Sequence, residues 1–74
     1  MIESVVGRVL WRAAEDPEFR RRMRQDLGIT LAEEGFILAD AEMSILREQF
    51  EPLQGLTDRA AYERIAALAR AYRR

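Results

Sequence analysis

The chain has no cysteine and no histidine among its 74 residues. It therefore cannot form a disulfide, and it offers neither a thiolate nucleophile nor an imidazole that could bind a metal or act as a base. Lysine is absent too, so no amine can replace histidine beside a serine nucleophile. These absences remove most enzyme mechanisms, and we expect no catalytic residue, no metal site and no bound cofactor.

An excess of charge of one sign and long apolar runs are also lacking. The 12 basic residues, all arginine, stand against 13 acidic ones, which gives a net charge of -1. This balance disfavours bulk attraction to nucleic acid or to anionic lipid. No apolar run approaches the roughly 20 residues that span a bilayer, and the first residues lack the basic region of a secretion signal. We therefore expect a cytoplasmic protein that binds neither nucleic acid nor a membrane.

What the chain does have is enough length for one small domain, with 49% hydrophobic residues. A fold of this size hides only about 60% of the surface that its unfolded chain exposes. We expect residues 1–74 to form a single helical domain with a thin core, to which a partner or a second copy could contribute. Arginine without lysine, together with abundant alanine, is typical of a GC-rich bacterial genome.

Apolar residues recur with a helical period throughout, which predicts an all-α fold. The stripe of the first helix consists of Ile2, Val5, Val6, Val9, Leu10 and Ala13. Asp16 followed by Pro17 predicts the start of a second helix. Gly28 is its predicted stop. The stripe of this second helix consists of Phe19, Met23 and Leu27.

The remaining start and stop signals predict three further helical elements. Thr30 opens a capping-box pattern, and Gly35 ends it after about one turn. Asp40 is the predicted cap of the next helix, and Thr57 or Asp58 that of the last. The apolar face of the former consists of Met43, Leu46, Phe50 and Leu53, and that of the latter of Ala61, Tyr62, Ile65, Leu68, Ala69 and Tyr72. We therefore predict a small bundle of four main helices plus one short helical turn.

Trp11 falls outside the core stripe of the first helix. On a helical wheel it lies on a second face, beside the small residues Gly7 and Ala14. Two interpretations are open, because a tryptophan is highly buried on average but is also a preferred contact for a partner.

Arg20, Arg21 and Arg24 are predicted to share one side of the second helix, with no acidic residue in that sector. They are either a solvated face or a set of guanidinium groups that hold carboxylates or phosphates of a partner. A DNA-binding helix-turn-helix across Gly28 is disfavoured, because the helix after the turn is short and acidic.

The order of three segments is similar to a known family. They are Asp16-Pro17-Glu18-Phe19-Arg20-Arg21-Arg22-Met23, then Leu31-Ala32-Glu33-Glu34-Gly35-Phe36, and then Leu38-Ala39-Asp40-Ala41-Glu42. This order resembles the nitrile-hydratase-like leader peptide clan, small bacterial proteins and precursor leaders of ribosomal peptide natural-product pathways. A more distant similarity is to the small helical alpha chain of protocatechuate 4,5-dioxygenases.

The resemblance implies that the helical domain is a recognition handle. In that family a modifying enzyme holds the domain while it acts on a segment further along the chain. The resemblance makes Trp11, Arg20, Arg21 and Arg24 candidates for this contact. Either Tyr72-Arg73-Arg74 is the modified segment, or the chain is a separate partner protein with a leader-like fold.

The expected function is a non-catalytic recognition or accessory module bound by a peptide-modifying biosynthetic enzyme. Two alternatives stay open. The chain could be a small helical subunit of an oxygenase whose metal ligands lie on the large chain, or a homodimeric structural protein. The expected partner is accordingly a modifying enzyme, a large subunit or a second copy.

Overall fold

The first helix, α1 (Val5–Glu15), begins after Ser4, whose side-chain oxygen accepts a hydrogen bond from the Gly7 N–H at 3.0 Å. The computed structural model describes residues 4–72, so Ile2 of the predicted stripe lies outside the described residues. At the other end of α1, Asp16 serves as the cap of both helices: it ends α1 and begins α2 (Pro17–Gln25). Its carboxylate accepts the N–H groups of Glu18 and Phe19 at 3.0 and 3.1 Å.

The predicted boundary between the second and third helices is wrong. α2 ends at Gln25, and Asp26 begins α3 (Leu27–Glu33) by accepting the Ile29 N–H at 3.0 Å. Gly28 therefore lies inside a helix instead of ending one. Thr30 is not a helix cap. It lies inside α3, and its hydroxyl donates a hydrogen bond to the Asp26 carbonyl at 2.7 Å. The expected single turn is a helix of seven residues.

The later starts follow the predicted signals to within one residue. Ala39, not Asp40, is the cap position of α4 (Asp40–Phe50), and the Glu42 carboxylate accepts its N–H at 2.8 Å. A 3₁₀ turn (Glu51–Leu53) follows α4 directly. Thr57, one of two predicted candidates, begins α5 (Asp58–Tyr72), since its side-chain oxygen accepts the Ala60 N–H at 3.2 Å.

The helices enclose one apolar core, to which every helix contributes. α1 packs most extensively against α5, and α2 packs against both α1 and α3. The largest fully buried side chains are Phe19, Leu10, Met23, Leu31, Leu46, Leu53, Ile65 and Val9. No strand occurs between residues 4 and 72, which confirms the all-α prediction. In the same range no helix is both long and apolar enough to span a membrane.

Gly35 ends α3 in a conformation that other residues rarely adopt, with φ at +82°. Nothing lies within 4 Å of the position that a Cβ would occupy, so the cost of a side chain is conformational only. We expect Gly35→Ala to lower the free energy of unfolding by about 1 kcal/mol. Gly55→Ala is the matched control, because Gly55 also has open space but no positive φ. Equal urea midpoints for the two variants would contradict this account of Gly35.

Candidate partner-binding groove

Arg20 is not on an exposed face. Only 5% of the residue is accessible to solvent. Its guanidinium group makes two parallel bonds to the carboxylate of Asp58, at 2.9 and 3.0 Å, and also donates to the carbonyls of Ala13 and Ala14 at 2.9 and 3.2 Å. The prediction of an exposed face is therefore wrong for Arg20, because α5 supplies an acidic partner that the second helix lacks on that side. This side chain joins the end of α1 and the start of α5 to α2.

The pairing shifts the proton affinity of both groups. Hydrogen bonding to Arg20 holds the pKa of the Asp58 carboxyl below its ordinary value. The same bonds raise the pKa of the Arg20 guanidinium, more than burial lowers it. Both groups are therefore charged across the physiological range, and Arg20 is already neutralised by an internal partner.

Arg24 and Arg21 also have internal partners, although they differ in exposure. Arg24 is largely buried and donates to the carbonyls of Leu53 and Leu56, beyond the end of α4. Arg21 is exposed and pairs with Glu18 one turn earlier, which raises the pKa of its guanidinium. The structure thus separates the three arginines, because Arg20 and Arg24 hold other helices and only Arg21 faces solvent.

A second arginine network fixes the junction of the first three helices. The Arg12 guanidinium bonds Asp16 at 3.2 Å and Glu34 at 2.8 Å, and its Cζ lies 4.9 Å from the ring centroid of Phe19. Arg22 joins the same Glu34 at 3.2 Å and also pairs with Glu33. This network gives the acidic end of α3 a structural role.

Trp11 lies in a groove between α1 and α5, of about 680 Å³. Its ring is half-buried and packs against the core. The same side chain therefore supports the core and lines an open surface, and contact with a partner stays a prediction. The walls of this Trp11 groove consist of Trp11, Ala14 and Glu15 from α1 and of Tyr62, Ala66 and Arg70 from α5, and α2 adds Pro17 and Arg20.

The α5 wall was not predicted from sequence. Tyr62 was expected in the core, but 44% of it is exposed. The positions of Tyr62, Ala66 and Arg70 at i, i+4 and i+8 form a stripe beside the buried one, and this spacing was the signal available in the sequence. The Arg20 guanidinium lies 5.2 Å from the ring centroid of Tyr62 and so orients that ring at one end of the groove.

Of the predicted contact residues, the structure brings Trp11 and Arg20 to this groove and leaves Arg21 and Arg24 elsewhere. Arg24 lines a separate small recess beside Phe50. Among residues 4–72, no group of three or more acidic side chains is placed to hold a metal ion. The Trp11 groove contains two of the four predicted contact residues and is the candidate site for a partner.

Comparison with known proteins adds no assignment to this geometry. No protein-family model, no curated protein and no solved structure matches the chain.

Proposed function

We propose that the domain is a non-catalytic recognition module, held by a peptide-modifying biosynthetic enzyme through the Trp11 groove. The observation that carries the proposal is the half-buried Trp11, the only tryptophan of the chain, in the wall of an open groove. Tryptophan and tyrosine dominate the energetic centres of protein interfaces, because a large ring excludes water at small cost in side-chain entropy. Trp11 and Tyr62 supply such rings on opposite walls.

The shape of the groove supports a protein partner. Ala14 and Ala66 stand beside the two rings, so a partner side chain can approach both helix backbones closely. A volume of about 680 Å³ has room for one or two large apolar side chains. An enzyme that presents such side chains would cover the exposed part of both rings, and the burial of that surface would favour binding.

The leader-like role is supported by the resemblance of the segments from Asp16 to Glu42 to the leader clan. In a leader, the enzyme holds the helical domain and acts on a segment that follows it. If Tyr72-Arg73-Arg74 is that segment, Tyr72 ends α5 beside Gly7, so the segment would start close to the Trp11 groove. Arg73 and Arg74 lie outside the described residues.

The test is to search the genes beside that of this chain for a peptide-modifying enzyme and to measure the binding of that enzyme to the domain. We expect Trp11→Ala to weaken the complex about tenfold or more, measured by isothermal titration, because it removes the largest ring in the groove. Tyr62→Ala is the second variant, since Tyr62 is more exposed and its loss disturbs the core less. Ile37→Ala is the matched control: Ile37 is 89% exposed and lies on the connector between α3 and α4.

Three outcomes would contradict the proposal. The first is equal affinity of wild type, Trp11→Ala and Tyr62→Ala for the enzyme, with melting curves showing that all three are folded. The second is binding to the large chain of an oxygenase in place of a peptide-modifying enzyme, which would favour the subunit alternative. The third is a dimer of this chain that buries the Trp11 groove, seen by sedimentation.

A further inference from the structure

We infer that the segment bound in the Trp11 groove carries a carboxylate beside its apolar side chain, and that this carboxylate lies at the end of the groove near Arg8 and Arg70. The inference rests on the proposed function and adds to it the chemistry and the orientation of the partner segment. The carboxylate would be held by these two arginines.

Arg70 lines the groove, and the close packing of α1 on α5 places Arg8 within one helical turn of the contact at that end. A Cβ at Gly7 would stand 3.4 Å from the Cβ of Tyr72, so the helix backbones nearly touch there. Arg8 follows Gly7 in α1, and Arg70 precedes Tyr72 by two residues in α5. Both arginines are exposed and both lie within one helical turn of this contact.

Neither arginine forms an ion pair with an acidic residue of the described part of the chain. Within residues 4–72, the arginines without an ion pair are Arg8, Arg47, Arg64 and Arg70. Six others in that range are paired with Asp or Glu, including every arginine of α2. Two cations near one end of an aromatic groove create a positive potential, which an acidic side chain of a partner would complement.

At the opposite end of the groove, Asp58 neutralises the charge of Arg20, and Glu15 supplies a negative charge. Glu15 lines the groove. It follows Arg8 by seven residues in α1, which at the rise of an α-helix places the two about 10 Å apart along the helix axis. It is exposed and has no ion pair within the described part of the chain. These charges therefore favour one orientation of the partner segment along the groove. Its acidic residue lies at Arg8 and Arg70, and its neutral or basic end lies at Glu15.

Charge reversal tests this inference on the complex with the peptide-modifying enzyme. We expect Arg70→Glu to weaken binding about tenfold, and the double variant Arg8→Glu with Arg70→Glu to weaken it further, with a loss that shrinks as salt rises. Arg64→Glu is the matched control, because Arg64 is also exposed, unpaired and in α5, but lines a different groove with Pro52 and Leu56. It should bind as the wild type does.

The absence of lysine permits a more direct measurement. Arg70→Lys introduces a single side-chain amine, which a carbodiimide will join to a carboxylate of the enzyme only if that carboxylate lies beside it. We expect a crosslink from Arg70→Lys and none above the wild-type background from Arg64→Lys, with mass spectrometry locating the Asp or Glu of the enzyme.

The outcomes separate the two levels of the proposal. If the wild type does not bind the enzyme, the proposed function fails. Suppose that the wild type binds the enzyme and that Trp11→Ala weakens this binding, but that charge reversal has no effect and no crosslink forms. The proposed function then stands, and the inference of a carboxylate in the bound segment is wrong. Binding of an oligonucleotide with the same dependence on Arg8 and Arg70, and no binding of the enzyme, would overturn both.

Discussion

Phe50→Ala is expected to lower the free energy of unfolding by about 3 to 4 kcal/mol, because it removes a buried ring and leaves a cavity. Phe50 is 3% exposed and ends α4, where it packs in the core with Leu46 and Leu53. A domain of 74 residues has a total stability of about 4 to 11 kcal/mol, so this variant should be near the limit of folding.

Urea unfolding followed by circular dichroism measures this loss. The comparison is with Ile37→Ala, which removes an apolar side chain that is 89% exposed and should change stability by less than about 0.5 kcal/mol. An unchanged midpoint for Phe50→Ala would mean that α4 turns another face to the core.

The second large effect is expected at Arg20. Arg20→Met keeps an unbranched apolar chain of similar reach but removes every hydrogen bond to Asp58 and to the carbonyls of Ala13 and Ala14. Asp58 can be hydrated again, because its side chain is 57% exposed, whereas Ala13 is fully buried and its carbonyl loses a donor. We expect a loss of about 2 to 3 kcal/mol in the free energy of unfolding.

Arg21→Met is the matched control, because Arg21 is an exposed neighbour whose ion pair with Glu18 spans one turn of α2. It should leave the urea midpoint nearly unchanged. Equal midpoints for Arg20→Met and wild type would contradict a structural role for Arg20 and return it to the set of partner contacts.

The pH dependence of stability provides a further check on this pair. The pKa of Asp58 is lowered in the folded protein from its ordinary value of 3.8. The ion pair therefore stabilises the fold fully above that ordinary value, and the contribution is lost as pH falls through the lower folded value. The difference in thermal midpoint between wild type and Asp58→Asn should be present at neutral pH and should shrink in acid.

Much of the fold could be predicted because its signals are local. The Asp16-Pro17 start, the short connections and the apolar faces that carry Phe19 and Phe50 depend on residues within one or two turns. The error at Gly28 is local as well. A glycine stop and an aspartate cap are both acceptable signals there, and a helix of seven residues is too short for periodicity to decide between them.

The site could be predicted only in part, because its main features depend on residues far apart in sequence. The sequence alone predicts Arg20 on a solvent-facing side, because its acidic partner lies 38 residues later and the periodicity of one helix carries no information about it. Trp11 was identified as unusual, but the opposite wall with Tyr62 and Arg70 follows from the packing of α1 on α5. Helix packing therefore decides which charges are neutralised by another helix and which remain exposed to solvent.

The packing of α1 on α5 also determines when the chain can fold during synthesis. Among the helices between residues 4 and 72, α1 leaves the ribosome before the others, yet α5, which covers most of its apolar stripe, is made after them. Val9 and Leu10, both fully buried in the finished fold, remain without their main partner until then. The domain should therefore complete its core only after α5 has left the ribosome, with contacts of long sequence separation forming last.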